Sequence, residues 1–218
     1  MAGIKQISTN RVSGVDQDRW LIRTIDATLK GPQRPARKGV FYPSALGNVC
    51  DRFLYKSYFG LLAEQPIDAI TKRIFDCGDF LGYRYEKYFE KMGVLLATES
   101  PVKCEMPPIS GRLDYLIKHE EHKTAIIELK SINTRGFKSL VKPKEEHNIQ
   151  IQLYLNLTPH KYGIVLYECK DDQKIKAFSV PRDEKVWKDV KDRCLQIMEM
   201  TQMPEKCTGL SWCPCRRD

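Results

Sequence analysis

Two stretches of alternating apolar and polar residues, 109 to 118 and 124 to 131, flank a short polar turn from His119 to Lys123, and this arrangement constrains the fold more than any other part of the chain. It predicts an antiparallel hairpin. The turn sets the register of a hairpin, so with its centre near Glu121 the residues equidistant from it face each other and Asp114 stands opposite Glu128. Glu128 and Lys130 are two apart and share a face, while Leu129 points to the other. The surrounding positions, Leu113, Leu116, Ile117, Ala125, Ile126 and Ile127, are apolar, so the two carboxylates would repel and desolvate each other. A divalent cation removes that cost, and a site of few oxygen ligands suits Mg2+ or Mn2+. An adjacent lysine can hold an attacking water and stabilise negative charge as a phosphodiester is cleaved. A surface hairpin with an ordinary ion pair would use the same residues without any chemistry.

From Pro43 the spacing turns helical. Ser44 as a cap and Leu46, Val49, Cys50, Phe53 and Ser57 in one stripe predict an amphipathic helix to about Phe59. A longer helix, from about Ile67 to Met92, carries the stripe Ile67, Ile70, Ile74, Cys77, Leu81, Tyr85, Tyr88, Phe89 and Met92, with Gly93 as its terminator. Within it Gly78, Gly82 and Glu86 follow one another at intervals of four. An interior glycine costs about 1 kcal/mol relative to alanine, which close approach of another backbone would offset. Residues 145 to 157 read as a helix, 162 to 169 and 174 to 180 as a strand pair around Asp171 and Asp172, and a last helix runs from Pro181 to about Met203. Helices followed by a mixed sheet that a helix interrupts indicate an α/β or α+β chain.

The 218 residues carry a formal charge of +8, of which residues 1 to 56 supply +6 through ten Lys and Arg against four Asp. Such a surplus favours a polyanionic partner. Residues 1 to 42 form a basic N-terminal segment, and its stretch from Lys30 to Lys38 mixes two prolines and a glycine with Lys and Arg, as a solvated linker or a phosphate-contacting arm would. The aromatic run Phe41, Tyr42, Phe53, Tyr55, Tyr58 and Phe59, interleaved with Arg52 and Lys56, fits core packing better than stacking on bases. No apolar run approaches the roughly 20 residues of a membrane span. Met1 to Val12 has no secretory-leader pattern, so the expected compartment is intracellular and reducing. There eight cysteines read as thiols or metal ligands rather than disulfides.

Cys207, Cys213 and Cys215 crowd into nine residues beside Gly and Pro, without apolar periodicity, and are expected to bind metal. A closed site needs a fourth ligand. Cys77, Cys104, Cys169 and Cys194 occur singly or within apolar patterns and are expected to be buried packing. His119, His122 and His147 are assigned no ligand role.

The segment Gly111-Arg112-Leu113-Asp114, then Ile126-Ile127-Glu128-Leu129-Lys130, then Gln150 and Tyr154 one turn apart on the following helix, resembles the PD-(D/E)xK nuclease superfamily, and its RecB-like exonuclease branch more closely. The likeness spans roughly residues 44 to 215, and the segments 73 to 78, 143 to 147 and 163 to 167 look like phage-encoded members of the branch. The resemblance implies a restriction-endonuclease-like mixed central sheet flanked by helices, as a single nuclease domain over residues 43 to 218. It implies a metal-dependent DNA exonuclease leaving 5′-phosphate ends, with Asp114, Glu128 and the Leu129 carbonyl as ligands of Mg2+ or Mn2+. Lys130 would be the catalytic lysine, and Gln150 and Tyr154 would position DNA. Many members carry a metal-binding histidine on the helix before the sheet, four residues after a glycine. Here that position is Gly82, which leaves Glu86 as a substitute third ligand and opens a second reading, a catalytically weak module for DNA capture.

The cysteine layout, one before the nuclease core and three after it, is similar to AddB-type and CRISPR-adaptation nucleases. It implies that Cys50 joins Cys207, Cys213 and Cys215 around a [4Fe-4S] cluster that staples an N- and C-terminal helical lobe, with Zn2+ as the alternative because the spacing Cys-x5-Cys-x-Cys departs from the commoner one. The implied partners are DNA, as a single strand or duplex ends, and a recombination, replication or CRISPR-adaptation protein. The implied location is the cytoplasm of a bacterial, archaeal or phage-infected cell.

Overall fold

Five strands in chain order make one mixed sheet: β1 (Leu95–Cys104), β2 (Ile109–His119), β3 (Lys123–Ile132), β4 (Tyr162–Cys169) and β5 (Ile175–Pro181). The structure is a computed structural model and describes residues 19–29, 38–62, 67–207, 213 and 215. Neighbouring strands run antiparallel except β3 and β4, which are parallel. The crossover that parallel pairing requires consists of α5 (Thr134–Ser139) and α6 (Glu145–Leu157). The hairpin register is the expected one: from His119 with Lys123 to Tyr115 with Ile127, every β2–β3 pair is equidistant from residue 121. The regular ladder ends there, one position short of Asp114 and Glu128.

Helix α4 (Ala69–Lys91) covers one face, where Leu81, Tyr85 and Phe89 pack on Tyr115, Ile117 and Ile127. The other face is covered by α6, through Ile151, Tyr154 and Leu155 against Leu113, Ile126 and Val165. A second shell lies on α6: α2 (Pro43–Leu46), α3 (Asp51–Phe59) and α7 (Glu184–Glu199), joined through Leu46, Leu54, Leu153, Val190 and Ile197. Sandwiched in this way, α6 buries six consecutive residues, Gln150 to Leu155. A further helix, α1 (Arg19–Thr28), lies within the basic N-terminal segment, ahead of the stretch read as linker or arm, and the 2.5 Å Arg73–Asp26 ion pair ties it to α4. Most of the Lys30 to Lys38 stretch falls outside the described residues.

The continuous helix expected from Pro43 to Phe59 is broken in two. A Cβ at Gly47 would stand 2.4 Å from Glu146 Cα, so the start of α6 crosses the chain there and the backbone turns away. Val49 is 71% exposed, Ser44 does not cap, and α3 begins instead at Cys50, whose Sγ accepts the Phe53 N–H at 3.4 Å. Gly47→Ala should therefore destabilise the fold by at least the 1–3 kcal/mol typical of overpacking; an unchanged urea midpoint would contradict the backbone contact.

The last helix starts at Glu184, not Pro181, because Pro181 completes β5 and the Asp183 carboxylate accepts the Lys185 N–H. Of the α4 stripe only Leu81, Tyr85 and Phe89 are buried: Ile70 and Ile74 in the first half, which loses the cover of the sheet, are 64% and 52% exposed, and Tyr88 and Met92 are exposed as well. Cys77 lies on that half and is exposed, and Cys104 is half-buried, against expectation, while Cys169 and Cys194 are buried. The aromatic run is core, with Phe41 stacked on Tyr58 at 4.6 Å. No helix among the described residues is long and apolar enough to cross a membrane.

Candidate active site

Where β2 and β3 part, side chains take over from the ladder. Asp114 Oδ2 accepts the Leu129 N–H at 2.8 Å, in the place of a strand partner. Glu128 is 0% exposed, and neither of its oxygens has a hydrogen-bond donor aligned on it. Lys130 Nζ lies 2.5 Å from Glu128 Oε1, an ion pair by distance whose angles are not those of a hydrogen bond. Burial pushes the Glu128 carboxyl up to about 8, the Asp114 charge adds to the rise, and Lys130 opposes it. Asp114 is also held above its ordinary value, by burial, against the pull of the Leu129 N–H and Lys130. A wholly buried acid beside a half-buried one, with the Lys130 ammonium against the first, is short of positive charge, so a dication fits this donor set.

The other expected residues converge here. Gly111 lets α2 and α6 approach, since a Cβ there would meet Pro43 Cγ at 2.8 Å and Tyr154 Cε1 at 3.2 Å. Gln150 Nε2 donates to Tyr154 Oη at 3.3 Å, and the Tyr154 phenol is held up by burial and then by the Glu128 charge. One turn earlier His147 Nδ1 lies 2.7 Å from Tyr167 Oη. Burial, then the Lys130 charge, lowers the His147 imidazole to about 4 and keeps it neutral.

Asp114, Glu128, Lys130 and Gln150 open on a cleft of about 680 Å3 that α4 walls with Gly78, Gly82 and Glu86. Among the described residues, only the cysteines bring three or more His, Cys, Asp or Glu ligand atoms within 4.8 Å of one another, so Glu86 faces the acid pair across the cleft rather than closing on it. Among the described residues the two glycines do not admit another protein backbone: at Gly82 a Cβ would meet the Tyr115 hydroxyl at 3.3 Å, and at Gly78 none of these residues within 4 Å.

Sequence reasoning missed Glu99. It stands on β1 between the Thr98–Tyr115 and Ser100–Leu113 pairs, hence opposite Asp114, and lines the cleft. Its φ of 47° is uncommon for a residue other than glycine and clusters at functional sites. Arg112 Nε pairs with it at 3.1 Å, and the Glu99 charge adds to the upward push on both Asp114 and Glu128. Only the pairing of β1 with β2, a hairpin that the sequence pattern does not mark, reveals it.

The acid pair has a pH signature of known sign. Glu128 keeps its proton to about pH 8 in the folded chain but loses it near pH 4.5 when unfolded. Between those values the unfolded state binds fewer protons, so the stability of the metal-free protein falls as pH rises. The fall is on the order of a few kcal/mol. Urea titrations in EDTA at pH 5 and pH 8 should show it in the native chain and much less in Glu128→Gln; equal falls in both would refute the assignment.

A second constellation lies at the termini. Cys50, Cys207, Cys213 and Cys215 bring their sulfurs within 4.8 Å of one another, with Cys207 and Cys215 at 3.4 Å. Burial pushes the Cys50 thiol up to about 12 and raises Cys213. Burial also pushes Cys215 up, but the Cys207 N–H and the neighbouring thiols outweigh it and bring Cys215 down to about 7. Four converging sulfurs of this kind are a donor set for a soft cation.

Comparison with solved structures finds the same α/β fold, a mixed sheet flanked by helices. The protein SSO0001 is 21% identical with a TM-score of 0.53, over 84% of this chain and 85% of that one. An alkaline exonuclease, LHK-Exo from Laribacter hongkongensis, is 15% identical with a TM-score of 0.53, over 81% and 90%. LHK-Exo in complex with dAMP gives 17% and 0.52, over 75% and 88%. No protein-family model and no curated sequence matches the chain.

Proposed function

We propose that the protein is a metal-dependent DNA exonuclease, with residues 43 to 218 as its single nuclease domain. The observation that carries this reading is Glu128, wholly buried without an aligned donor yet lining an open cleft beside Asp114 and Lys130. The fold shared with an alkaline exonuclease supports it. Asp114 and Glu128 would hold Mg2+ or Mn2+. In a strand the N–H and C=O of one residue project to the same edge, so the Leu129 N–H that meets Asp114 implies a carbonyl aimed the same way, suited to be a backbone ligand. Glu86, on the α4 wall, completes the proposed set. When bound, the cation polarises the scissile phosphate and lowers the pKa of a water. Lys130 orients that water and offsets the charge that builds on the phosphate, while Gln150, which lines the cleft, meets the strand and Tyr154, buried behind it, holds the Gln150 amide in place, leaving 5′-phosphate products.

A second reading, DNA capture with weak catalysis, draws on Gly82, which stands where a histidine ligand is expected. End-labelled DNA incubated with Mg2+, with Mn2+ and with EDTA separates the two. Cleavage by the native chain that needs metal and is absent in Glu128→Gln is the expected result, binding without cleavage supports capture, and neither binding nor cleavage overturns both.

The cysteine group is proposed as a structural metal site. Bonds of 2.3 Å to one tetrahedral ion give sulfur–sulfur edges of about 3.8 Å, and the four sulfurs here all lie within 4.8 Å. That spacing favours Zn2+, while the one-before, three-after layout favours [4Fe-4S].

A further inference from the structure

Cys207, Cys213 and Cys215 are close neighbours in the chain, whereas Cys50 is far from them in sequence, so the place of its sulfur is set by its own surroundings. Residues 47 to 50, between α2 and α3, form neither helix nor strand, and their one apolar side chain besides Cys50 itself, Val49, is exposed. Polar contacts hold this turn. The Cys50 N–H donates to Asn48 Oδ1 at 2.9 Å, a local side-chain-to-backbone bond of the kind that shapes turns, and the Cys50 sulfur accepts the Phe53 N–H. Arg193 on α7 grips the chain on both sides of Cys50. Its Nη1 donates to the Asn48 carbonyl at 2.7 Å and to the Leu46 carbonyl, the last of α2, at 3.4 Å. Its Nε and Nη2 both meet Asp51 Oδ1, each at 2.7 Å. Three acceptors thus converge on one planar guanidinium whose side chain is only 26% exposed, a fork that a more exposed, single ion pair does not provide.

We propose that Arg193 is a positioning residue of the cysteine site: it locks the turn from Leu46 to Asp51 in the shape that presents the Cys50 sulfur to Cys207, Cys213 and Cys215. Arg193 supplies no ligand atom itself. This rests on the reading of the four cysteines as a metal site and is independent of the nuclease reading. A ligand already held in its bound geometry loses little conformational freedom when the ion binds, and groups that orient ligands from behind are typically worth 10–100-fold in metal affinity. The fork requires arginine, because a lysine ammonium is a point charge on a flexible stem and does not hold three acceptors in one plane.

The test uses the full chain, reduced, freed of metal by chelation and titrated with Co2+ alone, with the thiolate-to-cobalt charge-transfer band as the readout of binding by sulfur. Arg193→Met should weaken Co2+ binding about 10–100-fold with every cysteine in place, and Arg193→Lys should restore little of the loss. Asn48→Ala, which removes only the acceptor of the Cys50 N–H, should weaken binding about tenfold, and it decides alone if Arg193→Met fails to fold. Val180→Ala loosens the sheet core instead: it should lower the melting midpoint yet leave Co2+ affinity within about twofold of native. Native affinity in both Arg193→Met and Asn48→Ala, or an equal loss of affinity in Val180→Ala, overturns the proposal while the metal site stands. A native chain that gives no cobalt–thiolate band removes the metal site itself, and the proposal with it.

Discussion

Lys130→Ala is expected to lower the rate of DNA cleavage by about 10²–10³-fold at saturating Mg2+, the loss typical of removing one preorganised charge-stabilising group. The ammonium lies 2.5 Å from Glu128 Oε1 and its side chain keeps 24% of its surface exposed, so it reaches both the buried acid and the cleft. Two effects follow from one deletion. Positive charge is lost where a phosphodiester would gain negative charge, and Glu128, already pushed up to about 8, loses the cation that opposes that rise. The half-saturating Mg2+ concentration should therefore increase as well, most at pH values below 8, where a proton competes for Glu128. Lys130→Arg should not restore the rate, since a planar guanidinium neither fits the same gap nor presents a point charge. Cleavage rates measured against Mg2+ concentration separate the two effects, and a native rate in Lys130→Ala at saturating metal would remove Lys130 from the mechanism.

How much of this site was legible in the sequence depended on the reach of the contact. The hairpin turn spans only five residues, His119 to Lys123, and a turn that short dictates register, so the opposition of Asp114 and Glu128 could be read directly. Gln150 and Tyr154 came from the family resemblance, and their spacing of four on α6 puts them on one face of that helix. Contacts between distant segments were not legible. Strand β1 escaped because it lies at the sheet edge, has an irregular register between Leu95 and Ala97, and contains Pro101, all of which blur the period-two signal that central strands keep. Glu99 was lost with it. On paper the period from Leu46 to Phe53 runs without interruption, and only the arrival of Glu146 at Gly47 breaks the helix. The apolar residues Ile70, Ile74 and Cys77 satisfy the stripe of α4 yet stay exposed, because periodicity cannot say where the sheet beneath a helix ends.

Cys213→Ser should cost several kcal/mol of stability, a large part of the 5–15 kcal/mol available to a domain. A closed four-thiolate site contributes its metal-binding energy to folding, and this one joins Cys50 at the start of α3 to the chain that follows α7. Among the described residues the polar contacts along the same seam include Arg52 Nη1, which donates to the Pro204 carbonyl at 2.8 Å, and Arg193, which bonds Asp51 and the Asn48 carbonyl, each at 2.7 Å, while Leu54 anchors α3 in the apolar cluster with α7. Cys50, Cys213 and Cys215 pack as a small apolar cluster of their own, apart from the clusters on either face of the sheet. Loss of metal should thus release the segment after Glu199 first, with the sheet and the helices packed on it persisting to higher temperature. Limited proteolysis after chelation should cut that segment early, and Cys77→Ser, at an exposed thiol on α4, should leave both stability and metal content unchanged. Elemental analysis of anaerobically purified protein identifies the metal: one zinc and no colour for a single tetrahedral ion, or about four irons with broad absorbance in the visible for a cubane cluster. Full stability in Cys213→Ser, or native protein free of both metals, would show that the four sulfurs meet without holding an ion.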